Sequence, residues 1–126
     1  MTGPDRQIAA CRRDMAQLAT MWRLVAGGSA PRAKAEAEAQ VFNQMVVALQ
    51  ARFGGAAVGA PQIALEVRLL AQGIADGGRF PQVGSAWRPD GSVTGYRPGD
   101  RIALSEEVFT RLSAVFLDRV ARMDDA

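Results

Sequence analysis

The sequence predicts a mainly α fold carrying a small β-meander, an α+β domain of about four helices (5–26, 30–53, 62–75 and 106–122) with a two- to three-stranded antiparallel sheet inside 84–104. Three observations carry this reading. Apolar residues recur at spacings of three and four over most of the chain, the signature of a helix with one buried face. Glycine pairs and prolines interrupt that period at intervals suited to ordinary helix lengths. Only the stretch from Trp87 to Leu104, WRPDGSVTGYRPGDRIAL, has turn chemistry dense enough to argue against helix.

The first helix opens near Asp5, which can cap it, and carries Ile8, Cys11, Met15, Leu18, Trp22 and Val25 in a three-four seam. That seam suits either one stripe of an antiparallel helix pair or self-association. Gly27 and Gly28 end the helix; Ser29 as cap and Pro31 in the first turn open the next, so a short connection makes 1–53 an antiparallel helix hairpin. The alternating run from Arg32 to Ala39 resembles a strand period. Its Ala, Glu, Lys and Arg content instead reads as a solvated helix surface, and Phe42, Met45 or Val46, Leu49 and Phe53 carry the packing. The glycines and alanines of 54–61 form a connector. Neither lysine nor hydroxyl follows them as a phosphate-binding loop demands.

The third helix brings Ile63, Val67, Leu70 and Ile74 to one face with Leu65 and Leu69 beside it, a width that calls for burial from two sides. Asp76, Gly77 and Gly78 stop it. In the meander, Arg88-Pro89-Asp90-Gly91 is a hairpin turn that sets Trp87 opposite Val93. Arg97-Pro98-Gly99-Asp100 has the composition of a type II turn, leading into a strand at 101–104. Ser105 then caps a last helix with Phe109, Leu112, Phe116, Val120 and Met123 on one stripe, and 124–126 is a frayed tail. The whole, 1–126, reads as a single domain, its second part (62–126) a helix, the meander and a helix.

Composition narrows the chemistry. The 126 residues include no histidine and one cysteine, Cys11, which removes Cys/His zinc sites, Cys-His nucleophiles and a Ser-His-Asp triad. The acidic residues are scattered except for Glu106-Glu107 and Asp124-Asp125, and neighbours on a helix point apart. The chain is therefore expected not to be an enzyme and to hold no cofactor or metal. Cys11, on an apolar helix face, reads as a core residue. The formal net charge is +2, and every basic residue except Lys34 is arginine. Residues 1–60 hold seven basic and four acidic side chains, 61–126 eight and nine, so neither half is a basic arm. No run approaches the ~18 apolar residues of a membrane span and no signal-peptide layout is present, so a cytoplasmic protein without membrane contact is expected.

What remains is a surface of aromatics and arginines: Trp87, Arg88, Tyr96, Arg97 and Arg101, with Arg79 and Phe80 just upstream. Trp, Tyr and Arg are the residues enriched where proteins bind one another. The expected function is a non-enzymatic interaction or assembly module that binds a partner protein or a second copy through the meander or the first-helix stripe. The alternative is a nucleic-acid-binding regulator, in which aromatics stack bases and arginines neutralise phosphates. In a third arrangement Trp87 and Tyr96 simply cover the helical core.

Overall fold

Among the described residues the spacing of apolar residues is realised in four helices: α1 (Gly3–Ala26), α2 (Pro31–Phe53), α3 (Gln62–Ala75) and α4 (Glu106–Asp124). The computed structural model describes residues 3–28, 30–54, 62–83 and 87–124. Ser29, most of the 54–61 connector, the 84–86 start of the expected meander and the end of the expected tail lie outside them. Asp5 sits inside the first turn of α1. At the start of α2 the cap position belongs to Ala30, whose side chain makes no capping bond, and Pro31 takes the first helical position. The stop after α3 follows from glycine: Gly77 has φ +120°, and the Gly78 N–H donates to the Gly73 carbonyl at 2.8 Å, the outer bond of a Schellman cap. Ser105 caps α4 by accepting from the Val108 N–H at 3.2 Å, and the Glu38 carboxylate of α2 accepts from the Glu106 N–H at 3.1 Å. Both oxygens satisfy amides left open at the helix start, and the Glu38 carboxylate also places negative charge at the positive end of that helix. α4 continues to Asp124, past the expected end, with an Arg122–Asp118 pair at 3.0 Å on its last turns.

α3 packs most extensively on α2, and α4 touches each of the other three helices. The core sits where they converge. Val46, Leu49 and Phe53 of α2, Val67 and Leu70 of α3, and Phe109, Leu112, Phe116 and Leu117 of α4 are all buried. Aromatic rings tie the elements together: Trp22 meets Phe42 edge-on at 6.2 Å, Phe42 lies 5.6 Å from Phe109, and Phe53 lies 6.4 Å from Phe116. Pairs of this kind contribute about 0.5–1.5 kcal/mol each beyond the area they bury. Cys11 is buried, as its apolar face implies.

The expected β-meander over 84–104 and its β-hairpin do not form among the described residues, and the fold is mainly α. Both turns are present. Pro89–Gly91 makes one turn of 3-10 helix, closed by the Gly91 N–H on the Arg88 carbonyl at 3.2 Å. At the second, the Asp100 N–H reaches the Arg97 carbonyl at 3.0 Å with Gly99 at φ +90°, a type II turn. Strands are missing because side chains supply the backbone partners that neighbouring strands would have supplied. The amides of Val93 and Thr94 donate to Glu66 at 2.9 Å each. Asn43 of α2 donates to the Ile102 carbonyl at 2.8 Å and accepts from the Leu104 N–H at 3.1 Å, and the Tyr96 hydroxyl accepts from the Ala103 N–H at 2.9 Å. The sole ladder contact among the described residues is an isolated antiparallel bridge between Arg79 and Arg101.

Candidate functional site

The loop between α3 and α4 is fastened to α3 by two side chains one helical turn apart. Gln62 bonds the backbone of Arg88 on both sides, accepting from its N–H at 3.0 Å and donating to its carbonyl. Glu66, wholly buried, accepts from the Ser92 hydroxyl at 2.7 Å, the Thr94 hydroxyl at 2.5 Å and the two amides already named. A carboxylate with four donors is a stable way to bury a charge, because each lone pair lost to water is replaced. A second close joint lies at Gly73, where an added Cβ would fall 2.3 Å from the Arg79 carbonyl oxygen and 2.8 Å from the Ile102 Cδ1. Loop and helix therefore meet at backbone distance.

This anchoring decides where the sequence-predicted binding residues go. Phe80 and Trp87 are buried and Tyr96 is half-buried; Phe80 lies 5.7 Å from Trp87 and stacks with Tyr96 at 6.3 Å. The three aromatics form a small core of their own under the loop. The Trp87 Nε1–H has no hydrogen-bond partner among the described residues. Arg79, Arg88, Arg97 and Arg101 are exposed. The bonds around the 79–101 bridge, Phe80 N–H to Asp100 carbonyl and Ile102 N–H to Gly78 carbonyl at 2.8 Å each, make it a non-hydrogen-bonded pair, the kind that holds opposing side chains close. Arg79 and Arg101 thus share one face at short range. Arg79 also donates to the Gly99 carbonyl at 2.9 Å, and Asp100 turns its carboxylate back onto the Arg97 N–H at 2.9 Å.

A different surface stands out on α1. Of the large apolar residues that are exposed among the described ones, all but Val115 lie within one stretch: Leu18 (44%), Met21 (56%), Leu24 (78%) and Val25 (65%). At about 100° per residue these four share an arc of roughly 120°, beside the face that buries Ile8, Cys11 and Trp22. The expected seam is therefore split, its Leu18 and Val25 turned to solvent. Clefts open on both flanks of α1: one of about 270 Å³ bordered by Ala10, Asp14, Arg52 and Phe53, and one of about 250 Å³ between Arg12, Ala16, Ala19 and the start of α4. Two ion pairs hold the helix, Arg52–Asp14 at 3.0 Å to α2 and Arg23–Glu106 to α4. Each raises the pKa of its arginine above an already high value, chiefly through the hydrogen bond to the carboxylate, so both pairs keep their cation at any ordinary pH.

Met21 and Leu24 are absent from the predicted binding set, and so is Glu66. Their signals were in the sequence: Met21 and Leu24 widen the apolar arc beyond what a three-four seam needs, and Glu66 interrupts Leu65 and Val67 in the helix read as buried from two sides. No three Cys, Asp or Glu side chains among the described residues come together to hold a metal ion. Among the same residues no helix is long and apolar enough to cross a membrane. Among the described residues the fold and its surfaces define four packed helices with a side-chain-anchored loop and an exposed apolar helix face. Comparison with protein families, curated proteins and solved structures finds no match for this chain.

Proposed function

We propose that the protein is a non-enzymatic assembly module whose contact face is the apolar arc of α1. The observation that carries this reading is the run of Leu18, Met21, Leu24 and Val25, exposed together on a helix whose adjacent face is in the core. Together they leave roughly 400 Å² of apolar side chain in water, on the scale of the largest patch a monomer tolerates, and such patches are where proteins meet. The loop contributes rigidity instead, because its aromatics are spent on packing. The test is a photo-crosslinking residue placed at Leu24, with Ala35 on the exposed side of α2 as control, used in the cell that makes the protein. Adducts from position 24 and none from 35 are expected. An absence of adducts at 24, or equal yields at both, overturns the reading.

A second reading rests on the 79–101 bridge. Two arginines directly opposite one another repel, and neither has a carboxylate partner among the described ion pairs. A phosphate between them relieves that repulsion, which favours nucleic-acid binding through Arg79 and Arg101, with Arg97 and Arg88 further along the loop. Mobility shift of single-stranded and duplex nucleic acid at two salt concentrations tests it, since phosphate contacts weaken as salt rises. No shift at low salt ends it.

A further inference from the structure

We infer that the occupant of the α1 face is a second copy of this chain, docked antiparallel through the same face, with the two-fold axis passing beside Met21. This rests on the contact-face reading above and names its partner. The charge pattern of the arc is the first support. From Gln17 to Val25 the arc is made of Gln17, Leu18, Met21, Leu24 and Val25, none of them charged, while Arg23 lies on the far side of the helix and is tied to Glu106. A partner face must be as apolar and as neutral as this one, and an identical face satisfies both conditions without further requirement. Closed two-fold pairing of this kind uses the same patch on both molecules.

The register follows from residue positions. With Met21 on the axis, Leu18 meets the partner's Leu24, and Gln17 meets the partner's Val25, so each exposed apolar residue on one copy faces the arc of the other. One turn before Leu18 the same arc carries Asp14. There it is paired with Arg52 and adds no free charge; in a parallel pair the two helix dipoles lie side by side in the same sense and repel, whereas the antiparallel pair sets them head to tail. Area is the third support. The four side chains supply about half of the ~800 Å² per partner that a standard interface buries, and the flanking Ala10–Arg52 cleft is positioned to supply more.

The test uses the full chain. Light scattering across a concentration series is expected to show a dimer whose dissociation constant rises at least tenfold in Leu24→Glu, with circular dichroism showing that the variant folds. Single cysteines then read the register, the buried Cys11 of the wild-type chain serving as background. Met21→Cys is expected to form an interchain disulfide on mild oxidation. Gln17→Cys and Val25→Cys each stand about 12 Å from their own equivalent in the antiparallel pair, so neither links to itself, whereas the two mixed together do. A monomer at all concentrations, a dimer indifferent to Leu24→Glu, or self-linking of Gln17→Cys overturns the inference. Where the purified chain is monomeric but position 24 captures a different protein in the cell, the second-copy inference falls and the contact-face reading stands. Where position 24 captures nothing, both fall.

Discussion

Glu66 enters no ion pair among the described residues, and its charge is balanced by neutral donors alone. Each carboxylate oxygen takes a backbone amide, Oε1 from Val93 and Oε2 from Thr94. Glu66→Gln therefore sets an –NH₂ group against one of two amides that cannot rotate away. We expect it to lower unfolding free energy by about 2–4 kcal/mol, measured by urea denaturation, because a buried donor is left facing a donor. The same substitution is expected to speed protease cleavage within 88–95 before it affects the helices. Trp87 is a second residue whose role is packing. Trp87→Ala is expected to cost about 3–5 kcal/mol by opening a cavity against Phe80. Trp87→Phe is expected to cost far less, since it keeps most of the ring and removes an indole N–H without a partner among the described residues. Thermal unfolding of the two variants side by side checks this order.

At the scale of elements, the joint between α3 and the loop depends on a missing side chain. Gly73 lies inside α3, where alanine is intrinsically better by about 1 kcal/mol. The Arg79 carbonyl occupies the space its Cβ would need, at 2.3 Å. Gly73→Ala is accordingly expected to destabilise the protein by about 1–3 kcal/mol net, the opposite sign to the propensity rule, as read by chemical denaturation. Asn43 acts likewise across the gap to 102–104, and Asn43→Ala is expected to raise hydrogen exchange at the Leu104 amide well above that of its neighbours in α2. These joints explain what could be read in advance. Helix extents follow from local signals such as Gly27-Gly28, Pro31, Gly77 and Ser105, so they were legible. Both loop turns were legible for the same reason. Whether two turns join strands depends on who receives the amides between them, and that was decided by Glu66, Asn43 and Tyr96, up to 61 residues distant in sequence. Turn chemistry alone pointed to a meander; long-range polar side chains replaced it. The placement of Trp87 and Phe80 in a packed cluster followed from that replacement.

For the whole molecule, α1 is the outlying element. It touches α2 and α4, clefts open on both its flanks, and its seam divides between core and solvent. A helix so placed draws less on its own domain for stability than α3 does, and covering its outer arc stabilises the folded state by mass action. In the two-fold assembly this stabilisation depends on the protein's own concentration. At a hundredfold excess over the dissociation constant it reaches on the order of 2–3 kcal/mol, which corresponds to several degrees in Tm for a domain of this size. The wild-type Tm is therefore expected to rise steadily with protein concentration, whereas Met21→Glu and Leu24→Glu hold one Tm throughout, close to the dilute wild-type value. The two variants lose no core contact, because both positions are exposed. Differential scanning calorimetry over the same series separates the cases: a wild-type Tm that does not move with concentration means that the arc of α1 is not covered by a second copy.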